Sequence, residues 1–120
     1  MAYIAVPEGV PGIRSLVMFR PETGKHLYAL AQVLLRGDSP LTPAERELIA
    51  THVSARNNCA FCRDSHAAAA RELFGLERGV VDCLIENQAS DSISLKLSAL
   101  LKIAAKVQLN GREVQPEDIG

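Results

Sequence analysis

Two thiols, an imidazole and a carboxylate stand close enough in this chain to make a complete thiol redox centre. Cys59, Cys62 and His66 lie in the run Cys59-Ala60-Phe61-Cys62-Arg63-Asp64-Ser65-His66, and Glu47 precedes the first thiol by twelve positions. If Cys59 opens a helix, the three-residue spacing puts both sulfurs on nearby parts of one face, with a rise of roughly 4.5 Å between them. A disulfide could then close within the first turn. The N-terminus of a helix carries a partial positive charge and unpaired N–H groups, and both favour the thiolate, which is the reactive form. His66 follows Cys62 by four positions, about one turn, so its imidazole can face that sulfur and take or hold its proton. Glu47 falls on the preceding segment. Two helices folded back about Asn57-Asn58 would bring it level with His66, where a carboxylate orients an imidazole and raises its basicity. The chemistry expected of such a set is peroxide reduction or disulfide exchange.

Those residues need helices to position them, and the sequence supplies helical signals almost throughout. Residues 1–20 are expected to form an N-terminal arm: Pro7, Gly9, Pro11 and Gly12 interrupt it, and the patch Leu16-Val17-Met18-Phe19 allows one helical turn. From Pro21 to Arg36, Leu27, Leu30, Val33 and Leu34 recur at spacings of three and four, the pattern of an amphipathic helix ended by Gly37-Asp38-Ser39-Pro40. Thr42, Pro43 and Glu45 compose a capping box with proline in the first position, opening a helix to about Arg56. Asn57-Asn58 is a break, and either amide can cap the next helix. That third helix runs from about Ala60 to Phe74, carried by Ala67-Ala68-Ala69-Ala70 and stopped at Gly75. Leu76–Glu86 reads as a short helix and Ser92–Leu109 as a longer one, with Ile93, Leu97, Leu100, Leu101 and Ala104 on one face. Gln115-Pro116-Glu117-Asp118 resembles a helix N-terminus. No strand-like alternation persists, so the fold class expected is all-α, one helical domain over 21–120 that is incomplete at its C-terminus.

Composition narrows the function. Thirteen basic and fourteen acidic side chains give a net charge of -1 with no basic stripe, and aromatics make up 4% with no Trp, which argues against nucleic acid as a partner. No basic leader opens the chain, and no stretch approaches the roughly 18 uninterrupted apolar residues of a membrane span. A cytoplasmic protein without membrane attachment is expected. Three cysteines, two of them in C-x-x-C, suit a reducing compartment better than a secreted disulfide framework.

The run Leu41-Thr42-Pro43-Ala44-Glu45-Arg46-Glu47-Leu48-Ile49-Ala50, followed by Cys59-x-x-Cys62 and His66, resembles the alkylhydroperoxidase D-like (AhpD-like) branch of the carboxymuconolactone decarboxylase family. Pro11-Gly12-Ile13-Arg14 and Phe19-Arg20-Pro21-Glu22 resemble the N-terminal part of its peroxidase-related members more loosely. The resemblance implies an AhpD-like all-helical fold, homo-oligomers, and a thiol peroxidase or disulfide reductase activity, the peroxidase acting on an alkyl hydroperoxide at the expense of a dithiol donor. It also implies roles: Cys62 as the peroxidatic thiolate, Cys59 as the resolving thiol, His66 as the base and Glu47 as the far end of the proton relay. No cofactor and no metal belong to that set. AhpD itself has a His just before the second Cys, where this chain has Phe61. The decarboxylase branch lacks the paired cysteines.

Other readings stay open on the residues alone. Cys59, Cys62 and His66 with Cys83 or His52 could hold zinc, and the chain would then be a redox-sensing or zinc-binding interaction module without peroxidase turnover. Cys83 is otherwise expected to be a small buried hydrophobe, and His26 and His52 ordinary residues of the surface or core edge.

Overall fold

The computed structural model describes residues 3–75, 78–87 and 91–120, with all their side chains except those of Arg78, Val80 and Asn87. Among the described residues seven α-helices follow one another: α1 (Ile13–Phe19), α2 (Pro21–Arg36), α3 (Pro43–Arg56), α4 (Ala60–Phe74), α5 (Arg78–Asn87), α6 (Leu95–Asn110) and α7 (Pro116–Ile119), with a 3-10 turn at Gly111–Glu113 before the last. No strand occurs among the described residues. Nor is any helix among them long and apolar enough to cross a membrane.

The chain divides into two compact units, Met1–Pro40 and Leu41–Gly120. In the first, α1 packs on α2. The expectation of a single turn at Leu16–Phe19 falls short, because the helix begins three residues earlier, where Ser15 Oγ donates to the Gly12 carbonyl at 2.9 Å and satisfies it locally. The two helices meet at Gly24, the buried residue of α2, which lies against Val17. Leu27, Leu30, Val33 and Leu34 do form a helical row, but each is exposed.

The second unit is built around α3, which packs chiefly on α4 and then on α6 and α5. Its N-terminus is fixed as expected. Glu45 N–H donates to Thr42 Oγ1 at 3.2 Å, Thr42 N–H donates to Glu45 Oε2 at 2.8 Å, and Pro43 takes the first position. Along α3 the buried residues are Ala44, Glu47, Leu48, Thr51 and His52, an i, i+3, i+4, i+7, i+8 stripe that defines its inner face. Leu48 meets Ala67 and Ala70 of α4, Val81 and Leu84 of α5, and Leu97 and Leu101 of α6 in one core, with Ile49, Phe74, Ile85 and Ile93 packed against it. Each fully buried Leu contributes on the order of 1.5–3 kcal/mol through burial. The short Ala67 and Ala70 side chains let α4 come close to α3.

The later helices start close to their expected positions. Ser94 caps α6 by accepting the Leu97 N–H at 3.1 Å, and Gly75 ends α4 in the left-handed conformation, at φ 65°. The expected start of the short fifth helix at Leu76 and Glu77 lies outside the described residues. A bidentate ion pair from Lys106 Nζ to Asp118, 2.8 and 2.6 Å to the two oxygens, ties α7 to α6.

Candidate active site

Cys59 takes its position from two helices at once. At the end of α3, Asn58 N–H donates to the Ala55 carbonyl and Cys59 N–H to the Ser54 carbonyl, both at 3.0 Å, and Asn58 adopts φ 55°. This is a Schellman ending with Asn in the left-handed position, a conformation Asn tolerates better than most residues. The same Cys59 is the N-cap of α4, its Sγ accepting the Cys62 N–H at 3.3 Å. One residue therefore closes α3 and opens α4. The sequence offered Asn57 or Asn58 as the cap of α4; both instead finish α3, because two hydrogen bonds to its last carbonyls need residues 58 and 59 where they stand.

Cys59 and Cys62 are joined by a disulfide with a Cα–Cα distance of 5.4 Å, and both residues are half-buried. One turn past Cys62, His66 reaches across to α3, where its Nδ1 lies 2.6 Å from Glu47 Oε2. Glu47 is only 2% exposed, whereas the His66 side chain is 31% exposed, so the pair has a buried carboxylate end and an imidazole end open to solvent. A carboxylate only accepts, so Nδ1–H donates, and in the neutral imidazole Nε2 is then the basic nitrogen. All four residues singled out in the sequence, Cys59, Cys62, His66 and Glu47, thus meet at the α3–α4 junction.

The turn is also braced from α6, which sequence reasoning missed. Arg56 Nε donates to Gln108 Oε1 at 3.1 Å, and Gln108 Nε2 donates to Asn57 Oδ1 at 2.8 Å. Gln108 stands 51 positions from Asn57 with no local pattern to mark it. Two further expectations are corrected. Cys83 is exposed rather than buried, since Val81 and Leu84 take the inward positions of α5. His52 is buried in the α3 stripe, and burial first, then the nearby Arg56 charge, lower its pKa, against the opposing effect of a hydrogen bond to the Ile85 backbone. No group of three or more His, Cys, Asp or Glu suited to a metal ion is found among the described residues.

Beside the motif a cleft of about 380 Å³ is lined by Ala55, Arg63, Asp64, Asp82, Ile85 and Glu86. Arg63 Nε donates to Asp64 Oδ1 there at 2.8 Å. Three carboxylates against one guanidinium leave the cleft net negative, and neither sulfur lines it.

The model of the carboxymuconolactone decarboxylase family matches residues 21–109, which hold the whole site. The chain belongs to this family. Its all-helical fold is that of AhpD, as two solved structures show, each 30% identical to it and covering 92% of it. One is an uncharacterized peroxidase-related protein from Silicibacter sp. TM1040, with a TM-score of 0.80. The other, with a TM-score of 0.78, is described as an alkylhydroperoxidase AhpD core, an uncharacterized peroxidase-related protein from Ralstonia eutropha JMP134. This family member spans 57% of the length of each. A comparison with curated proteins found no match.

Proposed function

We propose that this chain is a thiol-dependent peroxidase that reduces an alkyl hydroperoxide through Cys62 and Cys59, with His66 and Glu47 as its proton relay. The observation that carries the reading is the Cys59–Cys62 disulfide set one turn from an imidazole bonded to a buried carboxylate. A stable fold needs no ionisable group at the position of Glu47, and a buried carboxylate is costly unless it is paired. Paired with His66, it can keep that ring oriented through each turnover.

In the forward half-cycle the Cys62 thiolate attacks the terminal peroxide oxygen. An S–O bond forms, the O–O bond breaks, and the alcohol leaves with a proton from the His66 imidazolium. The Cys59 thiolate then attacks the Cys62 sulfenic acid, forming the S–S bond and breaking the S–O bond, and the departing hydroxide takes a proton from solvent to leave as water. A dithiol donor returns two electrons and two protons by thiol–disulfide exchange. The names of the two structural neighbours support peroxide chemistry, the family resemblance supports homo-oligomers as the working form, and the paired cysteines of the sequence suit a reducing, cytoplasmic setting.

The test is consumption of an organic hydroperoxide in the presence of dithiothreitol. Cys62→Ser should abolish it. Wild-type turnover in that variant would overturn the reading.

A further inference from the structure

Resting on that reading, we propose that the dithiol donor attacks Cys62, not Cys59, so that the mixed disulfide of the reductive half-cycle forms on Cys62 and Cys59 departs as a capped thiolate. Burial of the two residues does not choose between them, since both are half-buried. Two other features do.

The first is the leaving group. Cys59 Sγ already accepts the Cys62 N–H while the disulfide is intact, and it stands at the N-cap of a fifteen-residue helix. When the S–S bond breaks, its electron pair moves onto a sulfur that has a backbone donor and the positive end of the helix in place, with no rearrangement and no proton required. Exchange is faster when the departing thiolate is better stabilised. Cys62 lies three residues into the same helix, past its cap, and its own N–H is the donor that Cys59 receives; the group placed one turn beyond it is His66.

The second is the base. A donor thiol must lose its proton before it attacks, and His66, oriented by Glu47, is the group placed to take it. His66 follows Cys62 by one helical turn and Cys59 by two, so the donor thiolate is generated next to Cys62. The step balances. The donor thiolate forms an S–S bond to Cys62, the Cys59–Cys62 bond breaks, Cys59 takes the electron pair, and His66 holds the donor's proton. The donor's second thiol releases its proton to solvent and attacks the donor sulfur of the mixed disulfide, closing the donor disulfide and expelling Cys62 as the thiolate ready for the next peroxide.

The test uses full-length protein whose disulfide has been formed with diamide, so its outcome does not depend on peroxide turnover. A brief exposure to glutathione is quenched in acid, free thiols are alkylated, and peptides are mapped. Glutathione should be found on Cys62, with Cys59 alkylated, in roughly tenfold excess over the reverse pattern. Glutathione on Cys59, an even mixture, or a disulfide that does not exchange would each overturn the proposal. A second measurement tracks thiolate absorbance in reduced C62S/C83S, which removes the exposed Cys83 thiol and keeps the residue-62 N–H. Cys59 should be half ionised below the ordinary thiol value of about 8.5, and a value at or above it removes the leaving-group argument. If glutathione lands on Cys62 but the protein consumes no peroxide, the exchange chemistry stands and the peroxidase reading alone fails.

Discussion

His66 Nδ1 and Glu47 Oε2 lie 2.6 Å apart across the α3–α4 interface, although the two residues stand 19 positions apart in the chain. Next to His66 on α4, Ala67 and then Ala70 are buried in the core with Leu48, the α3 neighbour of Glu47. Glu47→Gln keeps the shape of the side chain but loses the charge that orients the imidazole. Because positioned acid–base groups contribute at least about a hundredfold to rate, the variant should lose about that factor in kcat/KM for hydroperoxide. Its thermal midpoint should fall little, since an amide avoids the cost of burying a charge. Steady-state kinetics and a melting curve check both; wild-type kcat/KM would reduce the pair to a structural contact.

The turn that carries Cys59 predicts an ordered series of stabilities. Asn58 sits at φ 55°, where a β-branched residue is strained, so Asn58→Val should cost about 1–2 kcal/mol while Asn58→Gly stays near neutral. Gln108→Ala removes two exposed hydrogen bonds and should cost about 1 kcal/mol or less. Urea midpoints rank the three. A larger loss for Asn58→Gly than for Asn58→Val would contradict the Schellman assignment.

Most of the helices are legible in the amino-acid sequence because their signals are local. The Thr42–Glu45 capping box, the Ala run from Ala67 and the Gly75 stop each lie within a few residues of what they control. The site is legible for a similar reason: Cys59, Cys62 and His66 share one helix, and Glu47 is carried to His66 by a single fold-back. The features that stay hidden depend on tertiary partners. Gln108 reaches the Asn57 turn from a distant helix, and His52 has an ordinary helical neighbourhood until Ile85 covers it. Cys83 fails as a buried residue because the phase of α5 is set by Val81 and Leu84. The apolar row of α2 shows the converse, since its periodicity identifies the helix correctly but does not specify burial.

Buried His52 makes stability depend on pH. Its folded pKa is lowered, first by burial and then by Arg56, so the unfolded chain binds the proton more readily. Stability therefore rises with pH across the window between the lowered folded value and the unfolded value near 6.5. It is fully present above that window and is lost as pH falls through it. The urea midpoint should drop between about pH 7 and pH 5 in wild type, and His52→Gln should flatten that slope. An equal slope in both proteins would assign the acid sensitivity to other groups.

Gly24 and Gly79 are both helical, yet replacing them with Ala should move stability in opposite directions. In an exposed helix Ala normally improves on Gly by roughly 0.5–1 kcal/mol, because the glycine backbone loses more freedom on folding. Gly79 in α5 is exposed and its added Cβ would meet nothing within 4 Å, so Gly79→Ala should show that gain. At Gly24 the same methyl would stand 2.5 Å from the Val17 carbonyl oxygen, 2.6 Å from Val17 Cγ1 and 3.0 Å from its Cα. Two of those atoms belong to the backbone of α1 and cannot rotate away. The strain outweighs the propensity gain, and Gly24→Ala should cost about 1–3 kcal/mol by forcing α1 off α2. Protease sensitivity near residues 12–20 reads this directly: it should increase in Gly24→Ala and stay unchanged in Gly79→Ala. A Gly24→Ala protein as resistant as wild type would mean that α1 does not pack at Gly24 in solution.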